Sequence, residues 1–419
     1  MSWQTVPLRQ LITPNNKRNR PDLPLLSVVR DKGIIKRKLD KNDNHNIIPE
    51  DLSNYKIVSE GQFVINKMKA WQGSCGVSQY DGIVSPAYFV FDLQGVEPRF
   101  FNYAIRSKHY VDEFGCISKG IRVDQWDLEL LQLKYIRFPL PPRDEQDQIV
   151  RYLDWKVSQI NKLINAKRRQ IDLLGEQKRA MIDKALSQNG DGWDNARLKY
   201  LCLNIGDIDH KMPEAQEDGI PYVSPKDFYA DNGIDFGNAK KISRKSFDEL
   251  SKKIKPEKGD LILSRYATLG ATRLVDTDID FLVSYSCVTI KPNQLKIISA
   301  YLYFYFMSSL IEDEIRNYAF ETTQSNIGVD SIKRFRIPYP VDITIQQNIV
   351  DLAENKMSSI NRAIDAIQKE ITLFAEYRTR LISDVVTGKL DVRGVVVPEY
   401  ETTEETTEDN IEENESEET

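Results

Sequence analysis

Three carboxylates spaced two residues apart, Asp276, Asp278 and Asp280, are the residues of this chain that look most suited to metal chemistry. Alternating carboxylates of this kind open the calcium-binding loops of helix-loop-helix proteins. However, Phe281 stands where such a loop requires glycine, and Cys287 stands where it requires a bidentate glutamate. The series therefore does not predict a calcium site.

Other catalytic and metal-binding patterns are missing from the sequence. It contains no GxxxxGK[S/T] phosphate loop, no GxGxxG after a strand-like run and no GxSxG. His45, His109 and His210 are not spaced with other zinc ligands, which favours structural or surface roles. The Asn/Asp-Pro-Pro-aromatic tetrapeptide with which amino-methyltransferases hold a flipped base is also missing. These observations favour a chain with no catalytic residues, metal or cofactor of its own.

Basic, amide and aromatic residues are instead concentrated in short stretches of both halves of the chain. Lys and Arg neutralise phosphates, and Arg, Asn, Gln and Ser can read base edges, so these stretches predict DNA-binding loops, although charge runs are also typical of solvated surfaces. The candidates in the first half are Lys17, Arg18, Arg20, Lys36, Arg37, Lys67, Lys69, Trp71, Gln72, Lys119 and Arg122. Those in the second half are Lys226, Lys241, Arg244, Arg265, Tyr266, Thr323, Gln324 and Asn326.

The formal net charge of -6 does not describe the part of the chain that is expected to fold. Residues 399–419 contain eleven acidic residues and no lysine or arginine. Without them, 57 basic and 63 minus 11, or 52, acidic residues remain, a net charge of +5. The sequence therefore predicts a mildly basic folded region followed by an acidic disordered tail at residues 394–419.

Cysteine spacing and hydropathy indicate the cellular compartment in which the protein is expected. Cys75, Cys116, Cys202 and Cys287 lie far apart without a CxxC pair, which predicts free thiols in a reducing compartment such as the cytoplasm. The first residues lack a charged segment followed by an apolar one, and the apolar run at residues 300–310 is too short to span a bilayer. No membrane partner is expected.

Two long amphipathic helices are the elements that must position the basic stretches. An apolar seam predicts one helix at residues 143–190, with Lys167 and Lys178 at two seam positions, and the seam returns about 200 residues later for a second helix at 342–393. The seam residues of the first helix are Ile149, Leu153, Val157, Ile160, Ile164, Ile171 and Leu174. Those of the second are Met357, Ile360, Ile364, Ile367, Ile371, Phe374 and Leu381.

The segments before the two helices also match each other. Residues 24–27 match 221–224, residues 61–65 match 259–263, and residues 136–139 match 335–338. Lys67 and Arg265 each follow the matched glycine by six residues, so both segments place a cation in the same turn. In the first segment, strand-like runs at 63–65 and 87–91 and a helical run at 99–114 predict a mixed α/β module. The chain is thus predicted to be an internal repeat of a globular module followed by a long helix.

Each long apolar seam needs a partner, and pairing within the chain is the simplest solution. Because a whole module separates the two helices, they are expected to run antiparallel as a coiled coil. Lys167, Lys178 and Arg378 on the seam are expected to reduce stability while restricting the register. Two unrelated helices in separate domains are the alternative.

At the junctions, the sequence resembles type I restriction-modification specificity (S) subunits. The resemblance is carried by PLPPRDEQ at residues 139–146, which runs into IVRYLD at 149–154, and by YRTRLISDVVTGKLDVR at 377–393. The second junction, at residues 338–347, lacks the double proline and the acidic-Gln pair, which predicts a later start for the second helix. The loop at 322–327 resembles one that precedes the last strand of such domains, and residues 118–122 are its expected counterpart.

The resemblance implies an α+β protein. Target recognition domains at 1–142 and 191–341 would each read half of a bipartite double-stranded DNA target. A central helix at 143–190 and a distal helix at 342–393 would form an antiparallel coiled coil. It implies catalysis on partners, namely two methylation (M) subunits that use S-adenosylmethionine and restriction (R) subunits that use ATP and Mg²⁺. Two alternatives remain, a stand-alone DNA-binding coiled-coil adaptor and a DNA-modifying enzyme with its own site.

Overall fold

The computed structural model describes residues 3–30, 32–37, 49, 51–120, 126–187, 191–210, 212–229, 232–266, 268–318 and 326–403. The chain divides into two compact units, which are described separately. Unit 1 comprises Met1–Arg169 and Gln368–Thr419, and unit 2 comprises Gln170–Ile367. Among the described residues, no helix is both long enough and apolar enough to cross a membrane.

The residues of unit 1 that precede its first long helix form head 1. The strands of head 1 are β1 (Gln4–Pro7), β2 (Ile12–Pro14), β3 (Leu26–Val29), β4 (Gly33–Lys36), β5 (Lys56–Val58), β6 (Phe63–Asn66), β7 (Cys75–Val77), β8 (Gly82–Val84), β9 (Tyr88–Leu93), β10 (Ser118–Lys119), β11 (Asp127–Leu128) and β12 (Arg137–Leu140). Its helices are α1 (Pro98–Ile105), α2 (Lys108–Cys116) and α3 (Leu130–Leu133). The first long helix, α4 (Arg143–Leu186), begins in unit 1.

The core of head 1 lies against an antiparallel four-stranded sheet of order β2-β9-β6-β7. Phe63 and Phe91 are paired across β6 and β9, both are fully buried, and their rings stack. The two predicted strand runs are therefore confirmed. The single helix predicted at 99–114 is wrong, because Ser107 adopts an extended conformation (φ -66°, ψ 153°) that separates α1 from α2.

Head 2 belongs to unit 2 and begins after α4. Its strands are β13 (Trp193–Arg197), β14 (Cys202–Gly206), β15 (Ile220–Val223), β16 (Phe228–Tyr229), β17 (Gly233–Ile234), β18 (Lys240–Ile242), β19 (Leu261–Ser264), β20 (Thr272–Leu274), β21 (Leu282–Val283), β22 (Cys287–Pro292) and β23 (Arg336–Pro340). Its helices are α5 (Leu198–Leu201), α6 (Arg244–Leu250), α7 (Ser299–Met307), α8 (Leu310–Tyr318) and α9 (Val329–Ile332). The second long helix, α10 (Ile343–Val386), follows.

The strand pairings of head 2 repeat those of head 1. The sheet β14-β22-β19-β20 has the same order as β2-β9-β6-β7. The amide of Leu8 donates to the carbonyl of Ile136 at 3.0 Å in head 1, and the amide of Leu198 donates to that of Phe335 at 2.8 Å in head 2. The parallel pairing of β15 with β21 likewise corresponds to the parallel bridge between Leu25 and Ile83. The predicted internal repeat is confirmed.

Both long helices contain 44 residues, and their segments pair antiparallel within each unit. In unit 1, Lys167 Nζ lies 2.6 Å from Glu370 Oε2, and Arg378 Nη1 donates to Asn161 Oδ1 at 2.6 Å. In unit 2, Lys178 Nζ donates to Asn361 Oδ1 at 3.1 Å. Each predicted polar seam residue thus meets a polar partner on the other helix, which confirms the predicted antiparallel pair.

The predicted seam residues differ in how deeply they are buried. The fully buried members are Ile149, Leu153, Ile160, Ile164, Met357, Ile360, Ile367, Ile371 and Leu381, each at most 8 % exposed. Val157, Ile171, Leu174, Ile364 and Phe374 are half-buried. The stripe therefore matches the predicted period, with looser packing at five of its positions.

A buried glutamine joins each head to the start of its long helix. In unit 1, Gln146 Nε2 donates to the carbonyl of Pro141 at 2.8 Å, and its Oε1 accepts from the amide of Glu97 at 2.8 Å. In unit 2, Gln346 makes the same two contacts, with the carbonyl of Pro340 at 2.7 Å and the amide of Ile298 at 2.9 Å. The prediction that the distal helix starts late is wrong, because Gln346 alone supplies the contact that Gln146 supplies and α10 begins at the equivalent residue.

The acidic end of the chain departs from the prediction of disorder beginning at residue 394. After α10, residues up to Thr403 lie along α4 in unit 1, where Gln148 and Ser158 hydrogen-bond to their backbone. These contacts satisfy main-chain groups that have no partner in a helix or sheet. The remaining residues, 404–419, lie outside the described part of the chain.

Candidate nucleic-acid interface

The turn that follows the central strand of each head presents the cation that the sequence analysis singled out. Lys67 follows β6 and Arg265 follows β19. The amide of Leu128 donates to the carbonyl of Lys67 at 2.8 Å, and the amide of Ile327 donates to that of Arg265 at 3.1 Å. Lys67 and Arg265 therefore occupy equivalent backbone positions. The same contacts make the segment before Leu128, rather than residues 118–122, the counterpart of the loop before Ile327.

In head 1, this turn is shaped by a short polar network. The side chain of Asn66 accepts from the amide of Met68 at 3.0 Å, and a 3₁₀ turn at Ala70–Gln72 ends at Gly73, whose φ of 94° favours glycine. Lys67 Nζ lies 3.0 Å from Asp127, and the Lys67 side chain is 35 % exposed. An exposed ion pair of this kind exchanges readily for a phosphate contact, because it contributes little stability.

Two tryptophans stand beside Lys67. The rings of Trp71 and Trp126 are 5.3 Å apart at an interplanar angle of 51°, and both residues are half-buried. Trp71 Nε1 donates to the carbonyl of Met68 at 3.1 Å, which fixes the orientation of its ring. Exposed aromatic faces beside a cation can stack on bases or contact the thymine methyl group.

A second cationic group of head 1 lies near its first strands. The main chains of Arg18 and Lys56 form an isolated antiparallel β-bridge. The ammonium group of Lys56 donates to the carbonyl of Tyr88 at 2.6 Å. The pKa of Lys56 is lowered by burial first, and then by the positive charges of Arg18 and Lys67. The structure thus brings Arg18 and Lys67 to one region of positive potential, which favours a polyanion.

The other predicted cations of head 1 are partly engaged. Arg20 forms a salt bridge with Asp22 at 2.7 Å, Lys119 forms one with Glu129 at 2.7 Å, and the ammonium group of Lys36 lies 4.9 Å from the centre of the Tyr80 ring. The other candidates with described positions are the exposed Lys17 and the half-buried Arg37, Lys69 and Gln72. Arg122 lies outside the described residues.

In head 2, Arg265 is buried in a hydrogen-bonded network. It is 6 % exposed, its Nε donates to the carbonyl of Tyr285 at 3.0 Å, and its Nη1 donates to that of Ile327 at 3.3 Å. Its Nη2 lies 3.5 Å from Asp207 Oδ2. A guanidinium group with this many protein partners holds the turn together, so the structure does not favour the predicted direct phosphate contact of Arg265.

Around Arg265, head 2 presents aromatic rings to solvent. The ring of His210 stacks on that of Tyr285 with centroids 4.7 Å apart, and the ring of Tyr266 meets Tyr285 edge-on at 6.2 Å. The side chain of His210 is 58 % exposed. Tyr266 also forms an isolated bridge with Asn326. Both heads thus have aromatic rings near the turn after the central strand, although these rings come from different positions of the repeat.

The remaining candidates of head 2 are dispersed. Lys226 is exposed in a 3₁₀ turn, Lys241 lies in β18, and Arg244 pairs with Asp248 at 3.1 Å and with Asp280 at 3.2 Å. The acidic series that resembles a calcium loop is used in such pairs, since Asp278 also lies 3.1 Å from Lys258. Thr323 and Gln324 lie outside the described residues.

The sequence analysis missed several residues of these two turns. Trp126, Asp127, His210 and Tyr285 contact the predicted cations or their aromatic neighbours, although all are distant in sequence. One of them, Trp126, could have been found from the repeat. Leu128 corresponds to Ile327, which follows the predicted Asn326, and Trp126 lies two residues before Leu128.

The chain matches known proteins over its second half and, more weakly, over most of its length. Residues 190–373 match the family model described as the type I restriction modification DNA specificity domain. A relative from Methanocaldococcus jannaschii, provisionally named a type I restriction enzyme MjaX specificity subunit, is 21% identical over 372 residues, covering 82% of this chain and 81% of the relative. The MjaVIII specificity subunit of that organism is 22% identical over 302 residues, covering 66% of this chain and 67% of its own.

A solved structure shares the fold. A chain from a study of complex assembly and conformational transition of the type I R-M system superposes with a TM-score of 0.61 at 15% identity, covering 93% of this chain and 98% of that chain. At this identity, the similarity shows that the two chains share a fold.

Proposed function

We propose that the chain is a type I restriction-modification specificity subunit, in keeping with its match to the DNA specificity domain and its similarity to specificity subunits, and that heads 1 and 2 each read one half of a bipartite DNA target. The observation that carries this proposal is the repeated turn after the central strand. Lys67, Trp71 and Trp126 lie in or against this turn in head 1, and Tyr266, Tyr285 and His210 lie in or against it in head 2. Equivalent backbones with different side chains suit the reading of two different half-sites.

The long helices then serve as spacer and docking surface. The length of the helix pair sets the number of base pairs that are not read, and the exposed faces of the helices bind two methylation subunits, together with restriction subunits when these are present. The chain itself supplies recognition, and S-adenosylmethionine, ATP and Mg²⁺ belong to the partners. The relatives named as specificity subunits support this division of labour. The free cysteines support a cytoplasmic site of action.

Head exchange tests the reading of separate half-sites. A chain whose residues 1–142 come from another such subunit is produced with its methylation partner, and the methylated sequences of the host genome are determined. Only one half of the methylated motif should change, whereas the matched exchange of residues 191–341 should change only the other half. A change in both halves after either exchange contradicts modular reading, and methylation by the purified chain alone would revive the enzyme alternative.

Lengthening the two long helices tests whether they set the spacer between the half-sites. Gly175 lies three residues before Lys178, and Ile364 lies three residues after its partner Asn361, so an insertion of two helical turns at both positions keeps the seam paired. The preferred spacer between the half-sites should lengthen while both half-sites stay the same. Insertion of the same two turns into the loop before Trp193 serves as the control and should leave the spacer unchanged. An unaltered spacer after the helix insertion contradicts the role of the helices.

A further inference from the structure

Residues 392–403, the C-terminal strap, follow α4 in unit 1. Gln148 Nε2 donates to the carbonyls of Val392 at 3.0 Å and Val395 at 2.7 Å. Further along α4, Ser158 Oγ donates to the carbonyl of Glu401 at 3.0 Å and accepts from the amide of Thr403 at 2.7 Å. The strap is therefore held through its main chain and runs in the same direction as α4.

The strap covers one stripe of α4, here called the outer stripe. Ser158 belongs to it, and Arg151, seven residues earlier, lines a hollow with Val397, Pro398 and Tyr400 of the strap. Steps of four and three residues keep side chains on one face of a helix. The same steps from Arg151 lead through Ser158 to Lys162 and then to Arg169, so the outer stripe continues past the end of the strap.

The described part of the strap ends where the outer stripe becomes basic. Ser158 of the outer stripe accepts from the amide of Thr403, and Lys162, four residues later, is the next position of this stripe. Asn161, on a neighbouring face of α4, donates to the carbonyl of Thr403 at 3.2 Å. Both Lys162 and Arg169 are exposed. Beyond Thr403, the sequence continues as Glu404-Glu405-Thr406-Thr407-Glu408-Asp409, four of whose six side chains are acidic.

The dimensions of chain and helix match. Residues 162–169 of α4 span roughly 10 Å at 1.5 Å per residue. Six extended residues reach up to about 20 Å. Residues 404–409 are therefore long enough to pass both cations if they continue in the direction that the strap already has.

We propose that the outer stripe at Lys162 and Arg169 is a binding site for an acidic extended peptide, and that its occupant is the chain's own segment 404–419. The strap delivers this segment to the stripe, so that the site is filled within the molecule and closed to other polyanions. This inference goes beyond the proposed function, because it assigns a surface of α4 that is distinct from the two turns of the heads.

The repeat provides an internal control. Arg362 stands on α10 at the position equivalent to Lys162 and is exposed. Asn348 and Ser358, which correspond to the strap-bound Gln148 and Ser158, are exposed as well. Both helices therefore carry an exposed cation at this position, but the strap lies along α4. A variant of Arg362 thus tests whether positive charge without the strap is enough.

Cross-linking of the full chain tests the contact directly. A carbodiimide joins a lysine to a carboxylate as an amide without a spacer, so the two groups must come into contact, and the joined peptides are identified by mass spectrometry. Lys162 should be joined to Glu404 or Glu405, and 1 M salt should abolish the product because it screens the pair. Lys184, an exposed lysine of α4 in unit 2, is the control. Absence of the Lys162 product, or an equal yield from Lys184, overturns the proposal.

Binding in trans tests the site itself. A chain that ends at Thr403 should bind a labelled peptide of residues 404–419 at 50 mM salt, measured by fluorescence anisotropy. The double substitution Lys162→Glu and Arg169→Glu should weaken this binding about tenfold or more, whereas Arg362→Glu should leave it within about twofold. Equal losses in both variants overturn the proposal. It is also overturned if the double substitution weakens binding of a short DNA duplex but not of the peptide, since that result assigns the stripe to nucleic acid.

Discussion

The carbonyls of Lys67 and Arg265 accept equivalent hydrogen bonds, but the two side chains lie in different surroundings. The Lys67 side chain is 35 % exposed and pairs with Asp127 alone among the described contacts, whereas the Arg265 side chain is 8 % exposed and contacts Asp207, Tyr285 and Ile327. The repeat therefore preserves the main-chain contacts of the turn, whereas the role of the side chain in the turn differs between the two heads. In head 1 that cation remains accessible to a ligand, and in head 2 it holds the turn in which aromatic rings are accessible.

The largest difference between the heads should appear when these two cations are removed. We expect Arg265→Ala to lower the free energy of unfolding of unit 2 by about 3 kcal/mol, because the carbonyls of Tyr285 and Ile327 lose their donor and Asp207 keeps only Lys253 and His210 as partners among the residues that the structure describes. Lys67→Ala should cost about 0–1 kcal/mol, as exposed pairs do. Urea unfolding gives the total, and hydrogen exchange of the Leu261–Ser264 strand localises the loss.

One further variant and a measurement of DNA binding separate the alternatives for Arg265. Arg265→Lys keeps the charge but cannot donate in three directions, so it should restore less than half of the lost stability. DNA binding is then measured below the unfolding transition. Lys67→Ala should weaken it with a smaller dependence on salt, since one phosphate contact is lost. If folded Arg265→Ala loses the same salt dependence, Arg265 is a phosphate ligand after all, and the contrast between the heads is wrong.

A smaller and more nearly equal effect is expected at the two glutamines that join heads to helices. Gln146 and Gln346 are 2 % and 0 % exposed, and each makes hydrogen bonds on both sides of its amide. Replacement of either by alanine should cost about 2 kcal/mol, because buried backbone groups are left without a partner. Gln347→Ala, which removes an exposed contact with Asp351, is the control and should cost less than about 0.5 kcal/mol. Clearly unequal losses at Gln146 and Gln346 would show that the junctions are not equivalent.

These residues also show how much of the fold and of the candidate site could be predicted from the sequence. The long helices were predictable because a seam that keeps its period over 44 residues is a strong local signal. Gln146 lay within the junction motif, yet its contact with the amide of Glu97 joins residues far apart in sequence and needed the fold. Arg265 was assigned to DNA because a cation's type and position do not reveal whether the protein surrounds it. Its partners Asp207 and Tyr285 come from different elements of head 2.

The smallest effect concerns the seam, where the same contact is built with different cations. Lys178 bonds to Asn361 in unit 2, and Arg378 bonds to Asn161 in unit 1, at positions 200 residues apart in both helices. Burial lowers the pKa of the Lys178 ammonium group below its usual value. The folded state therefore releases this proton at a lower pH than the unfolded state does.

The sign of the pH dependence follows from this order of release. Below the folded pKa, both states are charged and the full cost of burying the charge is present, and as the pH rises towards the unfolded value near 10.5 that cost is relieved. An arginine does not titrate in this range. Relative to Lys178→Arg, the wild-type chain should gain stability between pH 8 and pH 10, by less than about 1 kcal/mol. Urea unfolding at both pH values measures this difference, and the reciprocal variant Arg378→Lys should introduce the same dependence in unit 1. A difference that is constant with pH would mean that Lys178 stays charged throughout, and that the two seam contacts behave alike despite their different cations.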